Sequence, residues 1–144
     1  MRIKTQIDGS FEGWTGDTIV KLMNGQAWQQ AEYHYHYHYT YMPAVEITLA
    51  GGRPVMRVEG VPVAVPVAEV SIECDGSIVS PFTGFERGMT FQFDTGHVWQ
   101  QVEGTTERHN ARRPSAMVVD GPNGTVLKVE DIETVVEVRR VARR

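Results

Sequence analysis

The chain has 144 residues, 41% of them hydrophobic and 22% charged, with a net charge of −4 and a pI of about 5.7. This is the balance of an ordinary globular protein, and it carries no global basic field to draw the protein to nucleic acid. A single Cys excludes an internal disulfide framework and any Cys-based zinc site. No run approaches the length of a membrane span, and Met1-Arg2-Ile3-Lys4-Thr5-Gln6 lacks the apolar core of a leader, so a cytoplasmic protein with no membrane partner is expected. The charge is even: 5 basic and 7 acidic residues precede Glu73, and 9 and 11 follow from there.

In chain order, copy one reads as strands near residues 3–8, 18–23, 26–40, 43–49, 54–59 and 62–68. They are punctuated by turns at Asp8-Gly9, Asn24-Gly25, Gly51-Gly52 and Glu59-Gly60. The centre is Leu22-Met23-Asn24-Gly25-Gln26-Ala27-Trp28-Gln29-Gln30, which reads as a β-hairpin. It returns as Phe93-Asp94-Thr95-Gly96-His97-Val98-Trp99-Gln100-Gln101, at an offset of 71. The same offset carries Pro43 onto Pro114 and Val55-Met56-Arg57-Val58-Glu59 onto Val126-Leu127-Lys128-Val129-Glu130. It also carries Val65, Val67 and Val70 onto Val136, Val138 and Val141. Upstream, Ile7-Asp8-Gly9-Ser10-Phe11 matches Cys74-Asp75-Gly76-Ser77-Ile78 at an offset of 67, which implies about four extra residues around Ser80-Pro81-Phe82-Thr83-Gly84. The chain therefore reads as a tandem duplication, residues 1–71 and 72–144. Units of roughly 70 residues are near the lower size for a self-sufficient core, so an interface between them is expected.

The second tail, Glu130 to Arg144, has a pattern that an amphipathic helix could also show. Its twin, Glu59-Gly60-Val61-Pro62-Val63-Ala64-Val65-Pro66-Val67, holds two prolines that no helix interior accommodates. Both tails are thus read as strands, and Pro66 predicts an edge position. The fold class is all-β: a tandem duplication of a small SH3-like antiparallel β-barrel, with two small β-sandwiches or one intertwined barrel as alternatives.

The segments Phe11-Glu12-Gly13-Trp14-Thr15-Gly16-Asp17-Thr18, Leu22-Met23-Asn24-Gly25-Gln26-Ala27-Trp28-Gln29-Gln30 and Tyr33-His34-Tyr35-His36-Tyr37-His38-Tyr39 form a pattern. It resembles an uncharacterised bacterial family of small hypothetical proteins, some associated with mobile integron gene cassettes. The match covers copy one nearly completely, while copy two lacks the Trp14 segment and the Tyr/His run. The resemblance implies small β units and no established activity, and it supplies no catalytic residues.

The run from Tyr33 to Tyr41 alternates strictly. On a strand it gives one face of Tyr33, Tyr35, Tyr37, Tyr39 and Tyr41 and an opposite face of His34, His36 and His38. Neighbouring histidines on that face could share a zinc ion, but no acid or Cys nearby in sequence completes a ligand set, so neither metal nor cofactor is expected. A two-residue turn at Asn24-Gly25 would pair Lys21 with Trp28, placing Trp28 and Trp99 opposite the core as binding or contact residues, with Trp14 a further candidate. Cys74, matched to Ile7, reads as a small buried apolar side chain, and Asp8 and Asp75 as turn residues. Neither a nucleophile triad spacing nor a phosphate-binding loop is present, so no enzyme activity is expected.

The expected function is a non-catalytic interaction module for an unknown protein or small molecule, using Tyr- and Trp-rich surfaces and self-associating as a homodimer. A nucleic-acid binder of the small-barrel kind is the alternative: Arg108, Arg112 and Arg113 would form a local patch, and Arg139, Arg140, Arg143 and Arg144 could touch phosphate. A metal-binding His strand is a third reading.

Overall fold

The computed structural model describes residues 1–141. These residues form antiparallel β-structure and no helix. The chain divides into two compact units, Met1–Val70 and Ser71–Arg144.

In the first unit the strands are β1 (Arg2–Gln6), β2 (Ser10–Thr15), β3 (Ile19–Lys21), β4 (Ala27–Gln30), β5 (Tyr35–Tyr41), β6 (Ala44–Ala50), β7 (Arg53–Val58) and the first half of β8 (Val65–Ser77). They pair in the order β1-β6-β7-β8-β4-β3, with β2 and β5 forming a separate two-stranded ribbon. Alternation builds the inner surface: Val45 and Ile47 of β6 point inward while Ala44 is exposed.

The second unit uses the other half of β8, then β9 (Phe82–Phe85), β10 (Thr90–Gln92), β11 (Val98–Gln101), β12 (Glu107–Ala111), β13 (Ser115–Gly121), β14 (Gly124–Val129) and β15 (Val135–Val141). Its order is β8-β13-β14-β15-β11-β10, with β9 and β12 as the separate ribbon. This is the first unit's order strand for strand. In each unit the two ends of the order meet only at an isolated bridge, Ile7 with Leu22 and Ile78 with Phe93. Among the described residues no sheet closes into a barrel.

Those bridges also correct the alignment of the copies. Ile7 N–H donates to Pro43 O at 3.0 Å and Ile78 N–H to Pro114 O at 3.0 Å, so the partner of Ile7 is Ile78. One offset of 71 therefore holds from the first strand onward, and the four-residue insertion does not exist. Cys74 sits where Ile3 does: Ile3 pairs with Ile47, and Cys74 with Val118. The shared Asp-Gly-Ser is a coincidence of composition, since Asp8-Gly9 forms a bend while Asp75-Gly76-Ser77 lies inside β8. Phe82-Thr83-Gly84-Phe85 is then the twin of Phe11-Glu12-Gly13-Trp14. Copy two does not lack the Trp14 segment; it carries Phe85 there. Both aromatic pairs meet edge-to-face, Phe11 with Trp14 at 5.3 Å and Phe82 with Phe85 at 5.8 Å.

Each unit has its own apolar core, drawn from matching positions such as Trp28 and Trp99, Met56 and Leu127, Val65 and Val136. Where Trp14 becomes the smaller Phe85, Val20 and Leu22 become Phe91 and Phe93, so ring volume moves between neighbours while the core stays filled. The tail strands form as read from the prolines. Pro66, however, is not on an edge: it pairs with Val55 of β7, and at the next residue, Val67, the pairing passes to Gln30 of β4. Proline sits at the handover between two ladders, where a missing donor disrupts neither.

Candidate functional site: the tyrosine face of β5

The segment read as one strand over 26–40 is two, β4 and β5, and the missed strand β2 is what β5 pairs with. Two features hold this ribbon. Gly13 has φ 106°, and a Cβ there would stand 2.1 Å from His36 O; Gly84 has φ 120°, with Glu107 O at 2.0 Å. Only glycine lets β2 approach β5, or β9 approach β12, this closely. The second feature is the repeated Gln-Gln pair. Gln30 Oε1 accepts from Gly16 N–H at 2.8 Å while its Nε2 donates to Glu32 O and His34 O. Gln101 repeats this with Glu86, Glu103 and Thr105. Gln29 and Gln100 donate to Asp17 O and Gly88 O.

On this frame the Tyr/His alternation resolves into two faces. Tyr33, Tyr35, Tyr37, Tyr39 and Tyr41 are 58–77% exposed, the largest solvent-facing aromatic groups of the described chain. Gly16 leaves room for the Tyr33 ring, whose Cδ2 would lie 3.2 Å from a Cβ. β5 has a ladder partner, β2, on one edge and none on the other among the described residues. The stretch Tyr33 to Val45 contains no Asp, Glu, Lys or Arg.

The histidines are half-buried beneath. His38 packs on Gly60, its Nε2 2.7 Å from where a Cβ would be, and His34 Nε2 is buried without a hydrogen-bond partner. Among the described residues no three His, Cys, Asp or Glu side chains converge as metal ligands.

In the second unit the ribbon keeps the same register, Arg108 with Gly84 where Tyr37 pairs with Gly13. Its outer positions are Gly104, Thr106, Arg108, Asn110 and Arg112, all exposed. Beneath them Thr134 Oγ1 donates to Glu107 Oε2 at 2.7 Å, and Glu107 Oε1 lies 2.8 Å from His109 Nε2. The Thr134 hydroxyl first, and His109 second, hold the Glu107 carboxyl below the usual glutamate range. Through these contacts Glu107 ties β12 to Thr134, the residue just before β15.

Three sequence-derived candidates sit elsewhere than expected. Trp14, Trp28 and Trp99 are buried at 0%, 4% and 4% exposure. Trp14 lies on the inner side of β2 against Phe11. For Trp28 and Trp99 the reason is the turn: Leu22 N–H bonds Gln26 O, and Phe93 N–H bonds His97 O, leaving three-residue loops closed by Gly25 and Gly96, both at φ 89°. Trp28 thus pairs with Val20 rather than Lys21, and a one-residue slip moves every side chain to the other face. Trp28 Nε1 donates to Gln26 Oε1 at 3.3 Å, whereas the Nε1 groups of Trp14 and Trp99 are buried without partners. Cys74 is buried, as a small apolar side chain would be. Arg139 bonds Gln100 and Arg140 stacks on the Trp99 ring, so both are engaged within the unit; Arg143 and Arg144 lie outside the described residues.

Sequence reasoning missed the glutamine clamp and the Gly13/Gly84 approach. Both were signalled: Trp-Gln-Gln and Phe-x-Gly-aromatic each recur at the offset of 71. In comparisons with known proteins, no family model, no curated protein and no solved structure matches the chain. No helix of the described residues is long and apolar enough to cross a membrane.

Proposed function

We propose that the protein is a non-catalytic interaction module that self-associates as a homodimer through the tyrosine face of β5. One observation carries this reading: the second unit builds the same ribbon on the same register with no aromatic residue on its outer face. The template does not require tyrosine there, yet the first unit has one at every position. Tyr presents a rigid apolar body and a hydroxyl at little entropic cost, the property that enriches it at interfaces.

Five rings about two-thirds exposed offer roughly 500–800 Å², near the about 800 Å² per partner of a standard interface. β5 itself carries no charged residue, so two copies of this strand related by a twofold axis bring no like charges against each other. A single-strand nucleic-acid platform would instead need basic groups interleaved with the rings. The finer architecture, an SH3-like barrel in each unit, belongs to the same proposal and is supported by the end-to-end bridges at Ile7 and Ile78.

Sedimentation of the wild type and of Tyr35→Ser/Tyr37→Ser/Tyr39→Ser tests the reading. A wild-type dimer and a folded monomeric variant are expected. A wild type that stays monomeric at high concentration, or a variant that remains dimeric, sinks it.

A further inference from the structure

The twin ribbons differ at one corner, and the difference begins with the backbone. In the first unit the β2–β5 ladder runs to Ser10 with Tyr41, and Met42 N–H extends it by donating to Gly9 O at 2.8 Å. In the second unit the ladder stops one pair earlier, at Phe82 with Ala111. Pro81 stands where Ser10 does and has no N–H to give. Where the two segments part, Val79–Thr83 and Asn110–Arg113 line an open cleft of about 650 Å³. That volume is in the range of small-molecule sites.

The chemistry of the corner is inverted relative to its twin. Asp8 and Glu12 of the first unit become Val79 and Thr83, and Tyr41 and Met42 become Arg112 and Arg113. Two acids have gone, two guanidinium groups have arrived, and no Asp or Glu lines the cleft. Arg112 and Arg113 are exposed and have no hydrogen-bond or ion-pair partner among the described residues. Two adjacent cations without a counter-charge, in a chain whose net charge is −4, form a site of local positive potential. The rest of the wall is mixed: Val79, Pro81 and Ala111 are apolar, while Asn110 and Thr83 can fix orientation.

We propose that this cleft binds a small carboxylate carrying an apolar body, the carboxylate held by Arg112 and Arg113 and the body against Val79, Pro81 and Ala111. The guanidinium fork matches a carboxylate in two parallel hydrogen bonds, and the apolar wall favours an organic acid over a bare inorganic anion. The site lies wholly within the second unit and does not depend on the tyrosine face.

Titration of the full chain with benzoate, benzamide and inorganic phosphate, followed by backbone amide NMR at constant ionic strength, tests it. Benzoate is expected to give saturable shifts confined to Ser80–Thr83 and Asn110–Arg113. Benzamide and phosphate should bind at least about fivefold more weakly, and Arg112→Gln/Arg113→Gln should lose about tenfold or more in affinity. Arg139→Gln should bind as wild type does. The proposal is overturned by the lack of saturable benzoate shifts at tens of millimolar, by equal binding of benzamide, or by equal binding of phosphate, which would reduce the corner to a bare anion contact. If the double variant loses its fold, the three-ligand comparison on wild type still decides.

Discussion

Gln30 Nε2 donates a 2.8 Å hydrogen bond to the carbonyl oxygen of His34, and Gln101 Nε2 donates one of the same length to Thr105. Each glutamine is 1% exposed. Each ties the end of one strand (β4 or β11) to the loop that leads into the outer ribbon, and each also takes a backbone N–H on the other side. A buried amide with all these partners leaves several backbone groups unpaired when it is removed.

Gln30→Ala and Gln101→Ala are therefore each expected to destabilise the protein by about 2–4 kcal/mol, the cost of orphaning two or so buried polar groups. Gln100→Ala, at a half-buried position with two bonds to lose, should cost under about 1 kcal/mol. Urea unfolding curves of the three variants check this; equal effects at Gln100 and Gln101 would remove the clamp from the account.

Gly13 and Gly9 separate conformational strain from steric exclusion. Both have positive φ, 106° and 100°, but a Cβ at Gly9 meets nothing within 4 Å, whereas one at Gly13 strikes the backbone of β5. Gly9→Ala should cost about 1–2 kcal/mol. Gly13→Ala should cost well beyond that and detach β2 from β5, read as loss of amide protection in Ser10–Thr15 and Tyr35–Tyr41 by hydrogen exchange.

Much of the fold could be read from residue pattern: the hairpins, the all-β tails settled by Pro62 and Pro66, and the alternation of Tyr and His over β5. What failed did so by small shifts of register. A turn of three residues instead of two reversed the face of Trp28 and Trp99, and the loop length is fixed by which N–H meets Gln26 O, which composition does not encode. A chance Asp-Gly-Ser at residues 75–77 displaced the alignment and hid Phe82–Phe85 as the twin of Phe11–Trp14. β2 escaped notice because Gly13 and the irregular register beside it break its alternation. The cleft at Arg112 and Arg113 was legible only as basic residues, since it depends on where Pro81 ends a ladder.

The buried tryptophans follow from that register. Trp28→Ala and Trp99→Ala are each expected to cost about 3–5 kcal/mol, as large-to-small changes in a core do. On an outward face either change would stay within about 0.5 kcal/mol. Intrinsic fluorescence offers a second check, because quenching by iodide should barely reach tryptophans 4% exposed or less.

Glu107 gives the second unit a pH dependence whose sign is fixed by its surroundings. The Thr134 hydroxyl and then His109 lower its proton affinity in the folded state, and partial burial opposes them less strongly. The folded protein thus binds this proton less readily than the unfolded chain. The resulting stability is fully present above the ordinary glutamate value and is lost as pH falls from there through the lower folded value. Thr134→Val installs the side chain that the first unit carries at the matching Val63 and removes the leading donor. Glu107 is 37% exposed at its side chain, so solvent screens the bond, and the change should cost only about 1 kcal/mol at neutral pH. Urea midpoints of wild type and Thr134→Val, measured from pH 7 down to about pH 3, should converge as Glu107 takes up its proton. A gap that stays constant across the series would mean the hydroxyl acts through packing alone, and the ionisation argument would fail.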